Sequence, residues 1–183
     1  LEGAVVALGP TPHRLHLALL GVENFVDAEL RRFNKGVDQR GILDAVALVL
    51  RLEREHPGSF VVREHGGFST ILFTPWTTVA DLSLNLRIVR AAGLGSLCGK
   101  LLSSRLRLVE GLPIEALARR DGLLVDAYED PAFDTAARNL YGAELPWRFA
   151  DPRLEPLCSV LVRLTSDTRF EGALVCNHII GVP

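Results

Sequence analysis

The sequence contains no methionine, not even at position 1, which points to a chain that begins after processing or to a piece of something longer. It has only three cysteines, Cys98, Cys158 and Cys176, far apart and without CxxC or CxxxCxxC spacing. That excludes a zinc site or an iron–sulfur cluster encoded by local spacing, and the cysteines read as small apolar core residues. Long apolar runs are missing too. None approaches the roughly 18 residues that a membrane span needs, although the chain is 48% hydrophobic and its mean hydropathy is +0.22. Glu2 and Gly3 stand where a signal peptide would carry basic residues. A net charge of −2 gives no basic field for nucleic acid. Cytoplasm is the default that remains.

Recognised catalytic signatures are also missing: there is no Walker loop, no nucleophile elbow and no Ser-His-Asp pattern. His13 and His16 have an H-x-x-H spacing, but on a strand edge their rings would point to opposite faces. His65 and His178 have no second partner in the sequence, so no metal site is expected.

What is present fits one domain of 183 residues with enough bulk to bury a core. Short apolar runs alternate with helical patterns. LHLALLG (15–21) reads as a strand ended by glycine. VDAELRRFNKG (26–36) suits a short helix with Asp27 as N-cap and Gly36 as stop. Apolar residues at helical spacing predict a second helix over 40–55, ended by His56-Pro57-Gly58. FVV (60–62) and FSTILFT (68–74) read as strands. Thr78 and Asp81 then form a capping box for a helix whose face carries Val79, Leu82, Leu86 and Val89. RLRLV (105–109) is a further strand, followed by helix 114–122 with Gly122 as cap. Beyond Leu123 turn signals recur at Asp130-Pro131, Leu145-Pro146-Trp147 and Asp151-Pro152, and 155–164 suits a last helix. This order predicts an α/β fold with a parallel sheet of right-handed βαβ units. Residues 1–124 form that unit, and 125–183 an extension of helix and loop.

In parallel sheets ligands gather at the carboxyl ends of the strands. Three turns lie there: VENF, TPWTT and EGLP. Glu23 and Asn24 follow the first strand directly. By themselves they fit a solvated turn or the acid of a helix N-terminus better than a ligand site. Trp76 suits packing against a neighbouring loop or stacking on a ligand, and Asn34-Lys35-Gly36 a helix terminus.

Taken in order, these segments resemble the radical SAM superfamily. GVENFVDAELRRFNKGV is similar to the pattern in which a strand ends in G-[IV]-E-[SN] and a helix and N-K-G follow. ILFTPWTTVADLSLNL resembles the next strand with its capped helix, and SRLRLVEGLPIEALARRDGLL the last strand with its own. The resemblance covers 15–124. It implies the carboxyl-terminal half of a partial TIM-like barrel of roughly six βα units. There S-adenosylmethionine is cleaved reductively by an iron–sulfur cluster to give a radical that abstracts hydrogen from substrate.

By position, the resemblance implies that Glu23, with Asn24 beside it, approaches the ribose of S-adenosylmethionine. Phe73, Thr74 and Val109 flank its adenine. The pattern departs at Trp76, usually glycine, at Thr77, often Glu or Gln, and at Glu110 and Leu112, which replace Pro and Thr around Gly111. The CxxxCxxC motif is not in these residues, so cluster ligands are expected outside this chain, which would be inactive alone. Substrate and catalytic residues stay open. Two other readings stand beside this one. The first is a non-catalytic βα domain packed against a partner chain, suggested by the apolar content. The second is another barrel enzyme resting on the strand-end carboxylates Glu23 and Glu110.

Overall fold

The computed structural model describes residues 1–62, 66–98, 101–130, 133 and 144–166. His65, Pro131, Cys176, His178 and the glycines of the tail lie outside them. The chain opens with a helix that the apolar pattern does not announce, α1 (Glu2–Leu8), which buries Val5 and pairs Glu2 with Arg51 at 3.2 Å.

The strand expected over 15–21 is two strands, β1 (Leu15–Leu17) and β2 (Leu20–Glu23). Leu19 breaks it, with φ of 57° and 71% of its surface exposed. A β-carbon makes that left-handed conformation costly. β2 nevertheless runs two residues past Gly21, to Glu23. The next helix, α2 (Asp27–Arg32), is shorter than 26–36. Asp27 is its first residue, with Val26 in the N-cap place, and the Asp27 carboxylate accepts from Gln39 N–H at 2.7 Å. Asn34 and Gly36, at φ of 52° and 68°, turn the chain away.

Helix α3 (Gln39–Glu55) follows, capped by Asp38, which accepts from Gly41 N–H at 2.9 Å. Its apolar stripe buries Ile42, Val46, Val49 and Leu52. Strands β3 (Phe60–Val62) and β4 (Phe68–Thr70) come next. β1 pairs β3 in parallel, Leu15 opposite Phe60, and β2 pairs β4 in parallel, Leu20 opposite Phe68. Helix α4 (Val79–Ala91) carries the expected capping box between Thr78 and Asp81. Leu82 and Val89 are buried, but Val79 is exposed, because a first-turn residue lies where the helix has only begun to turn inward.

A 3₁₀ turn at Leu101–Ser103 leads to β5 (Leu108–Val109), much shorter than 105–109. Parallel pairing still crosses to this stretch through bridges at Phe68–Cys98 and Phe73–Arg105. Leu72 and Phe73 N–H donate to the Ser104 carbonyl, and Leu106 N–H donates to that of Phe73. Pro113 opens α5 (Pro113–Arg120), and Gly122 sits beyond it at φ of 67°. The extension contributes β6 (Glu144–Leu145), antiparallel to β5, and α6 (Leu154–Ser166). Among the described residues the architecture is therefore mixed α/β: helices with short parallel strands in two-stranded sheets, and one antiparallel pair.

Two apolar clusters divide the interior. One joins α1, β1–β4, α3 and part of α4. The other runs from Leu72 to Leu161 and draws on both sides of residue 124, so the extension shares a core with the strands. Arg105 binds them together. Its guanidinium lies 4.8, 4.0 and 4.5 Å from the ring centroids of Tyr128, Phe133 and Trp147. No described helix is long and apolar enough to cross a membrane.

Candidate functional site

Parallel pairing brings the carboxyl end of β2 and the end of the 68–74 stretch to one edge. Ile71 N–H donates to the Glu23 carbonyl at 2.6 Å, so the VENF and TPWTT turns are neighbours. Glu23 stands at that edge with φ of 61°, again left-handed for a residue with a β-carbon. Its carboxylate is 19% exposed, and Oε1 lies 3.0 Å from Lys35 Nζ. The same Nζ donates to the Gly21 carbonyl at 3.1 Å.

Asn24 is buried and its amide is occupied. Nδ2 donates to the Ile71 carbonyl at 2.9 Å, and Oδ1 accepts from Val26 N–H at 3.0 Å. It fastens one strand end to the next and shapes the turn into α2. Asn85, which the apolar pattern of α4 hides, secures the same turn from the other side, where its Oδ1 accepts from Phe25 N–H at 2.9 Å. Phe73 is fully buried against Phe149 at 6.1 Å, edge to face. Thr74 is fully buried as well, its hydroxyl shared with Thr77 at 3.1 Å and accepting from Trp76 N–H at 3.2 Å. Val109 is half-buried and pairs with Glu144 of β6, on the strand beyond. Of the five residues picked from the sequence, Glu23 and Val109 keep exposed surface, whereas Asn24, Phe73 and Thr74 have their side chains in the interior.

Sequence reading missed a second acid here. Glu29 falls on the inner face of α2 and is 1% exposed. Oε1 is ion-paired with Arg32, while Oε2 makes no hydrogen bond of good geometry, since the Thr74 hydroxyl beside it is shared with Thr77. Burial pushes the Glu29 carboxyl above its ordinary value; the Arg32 guanidinium opposes this most, and the nearby Asp81 adds to it. Arg32 in turn covers the Trp76 ring at 4.9 Å, and the Trp76 indole N–H donates to Asp121 at 2.8 Å. Trp76 thus packs between two charged groups. The only hint in the sequence was an acid between Ala28 and Leu30, within a turn of two apolar contacts.

The raised carboxyl fixes a sign for pH. A folded-state value above the unfolded one means that the folded chain holds more protons, so the Glu29 contribution is greatest below the unfolded value. It is lost as pH rises through the folded value. Glu29→Gln is therefore expected to flatten the fall in stability on the alkaline side of about 4.3, the free glutamate value. Urea unfolding at a series of pH values checks this, and parallel profiles for variant and parent would count against it.

Among the described residues no group of three His, Cys, Asp or Glu is placed to hold a metal ion. Burial pushes the Cys98 thiol up to about 11 and the Cys158 thiol to about 12. Such thiols stay protonated at neutral pH and are weak nucleophiles. A cavity of about 590 Å³ lies within the extension, walled by Tyr128, Trp147, Phe149 and Glu155 among others. The Ala150 N–H donates to the Pro75 carbonyl at 2.8 Å, so the extension passes directly over the TPWTT turn. No protein-family model, curated protein or solved structure matches the chain.

Proposed function

We propose that this chain is part of a radical SAM enzyme and supplies one wall of an S-adenosylmethionine pocket. The observation that carries the reading is a half-engaged carboxylate at a shared strand edge. Glu23 gives one oxygen to Lys35 and leaves Oε2 without a partner among the described residues, on a partly exposed surface. A carboxylate oxygen in that state accepts ribose hydroxyls well. The chain's residues fit the nucleotide in this respect. Asn24 and Thr74 support it from below by fixing the turn backbone, and Val109 offers apolar surface to a base. They do not supply a cluster: among the described residues Cys98 and Cys158 are both buried and no group of three His, Cys, Asp or Glu is placed to hold a metal, so its ligands are assigned to another segment. Bound S-adenosylmethionine would supply hydrogen-atom abstraction. The fold reading that accompanies this is the carboxyl-terminal half of a partial TIM-like barrel, with β1–β2, β3–β4 and residues 98–109 as its successive strands.

The test uses the full reading frame, purified anaerobically and reconstituted with iron and sulfide. S-adenosylmethionine binding by calorimetry is expected, together with reductive release of 5′-deoxyadenosine. Glu23→Ala is expected to weaken binding about tenfold, the equivalent of one charge-assisted hydrogen bond. Full affinity in that variant would remove Glu23 from the site. Failure of the parent to bind at all would remove the reading.

One feature favours the second reading, a βα domain that packs on a partner chain. Among the described residues no strand pairs with the outer edge of β1 and β2, and Leu19, between the two strands, is 71% exposed. An open edge with apolar surface invites another strand. A preceding segment of the same enzyme would cover it equally well. Absence of S-adenosylmethionine binding in the full chain leaves the partner reading in place.

A further inference from the structure

We propose that Lys35 and Gly21 are positioning residues for Glu23, a device that holds the carboxylate with one oxygen engaged and the other presented. This rests on the reading of Glu23 as a nucleotide-binding acid. Three observations converge on it. The Lys35 ammonium spans the Gly21 carbonyl at 3.1 Å and Glu23 Oε1 at 3.0 Å, so a single nitrogen fixes the strand and the side chain together. The carboxylate folds back over Gly21, where a β-carbon would lie only 2.5 Å from Oε1 and 3.1 Å from Lys35 Nζ. A β-carbon there would push the flexible carboxylate out of this position, so the glycine matters for where the acid sits and not for backbone freedom. Finally, Lys35 reaches the site because Asn34 and Gly36 both turn left-handed, and Lys35 N–H closes the end of α2 on the Leu30 carbonyl at 3.1 Å. The turn that ends the helix aims the lysine.

The choice of lysine is itself informative. Lys35 is one of two lysines in the chain, against eighteen arginines among the 20 basic residues. A compact ammonium with three donors can serve two acceptors from one point, whereas a planar guanidinium spreads its donors over a wider fork. The clamp also accounts for the unusual backbone of Glu23. In the left-handed conformation the side chain leans back along its own strand toward Gly21, and the ion pair with Lys35 helps to hold it there.

A double-mutant cycle on the full-length enzyme tests this. Glu23→Ala, Lys35→Met and Gly21→Ala are each expected to weaken S-adenosylmethionine about tenfold. Lys35→Met is expected to add nothing once Glu23 is alanine, because a positioning residue acts only through the group it positions. Undiminished binding in Lys35→Met, or equal losses with and without Glu23, would overturn the proposal while leaving the nucleotide reading intact. Should the parent bind no S-adenosylmethionine, that reading fails and the clamp is decided without ligand. Reductive methylation of Lys35, followed by mass spectrometry, is expected to be slow in the parent and at least severalfold faster in Glu23→Gln. Equal rates would overturn the clamp.

Discussion

Replacing Trp147 by alanine is expected to cost about 4 kcal/mol of folding stability. Trp147 is 1% exposed and sits where three structures meet. Its indole N–H donates to the Leu106 carbonyl at 2.9 Å, which ties the extension to the stretch that leads into β5. Its ring meets Phe149 edge to face at 5.0 Å and carries the Arg105 guanidinium at 4.5 Å. Its backbone pairs with Leu124. Truncation leaves a cavity, an unpaired carbonyl and a buried guanidinium with one ring fewer. That last loss matters because Arg105 Nε and Nη2 are buried without hydrogen-bond partners of good geometry, so the rings supply much of the compensation for their desolvation. Urea unfolding measures the effect. The variant keeps Trp76 as the one tryptophan of the chain, so fluorescence reports that turn alone while circular dichroism reports the whole. A loss below about 1 kcal/mol would mean that the indole is peripheral to the core.

Asn24→Ala is expected to cost about 3 kcal/mol, from two hydrogen bonds lost in a buried place. The Ile71 carbonyl loses its donor and Val26 N–H its acceptor, and each buried group left unpaired costs about 1–3 kcal/mol. Asn24→Asp makes a sharper comparison. It keeps the acceptor for Val26 but at neutral pH cannot donate to Ile71, and it brings a charge into the interior. Its stability is expected to recover as pH falls and the new carboxyl is protonated. Urea midpoints for both variants decide the matter. A neutral outcome for alanine would show that the turn holds its shape without the amide.

Much of the framework was legible in the sequence because it depends on local chemistry. The capping box at Thr78 and Asp81, the stripe of α3, Pro113 at a helix start and the left-handed Asn34 and Gly36 each follow from interactions within a few residues. Strand extents were less legible. A break at Leu19 has no glycine to mark it, and 105–109 shortens to two residues because its pairing partner is β6, far along the chain in the extension. The motif residues at the strand ends were visible as types, but their roles were not. Asn24 and Thr74 turn inward to backbone and hydroxyl partners, while Glu23 remains at the surface.

By itself, the sequence determined the caps and stripes of α3, α4 and α5, which stretches are apolar enough for strands, and that an acid follows the first strand. Capping, periodicity and turn preference act over a few residues, so they can be read from the order alone. Only the tertiary structure decided that Glu29 is buried, that Arg105 lies among three rings, and that Lys35 joins the Gly21 carbonyl to the Glu23 carboxylate. Each of those depends on groups well separated in the chain, such as Glu23 with Lys35 or Arg105 with Trp147, being brought together with water excluded between them. A carboxylate at a strand end is a matter of order. Whether its oxygens are engaged or offered is settled by packing.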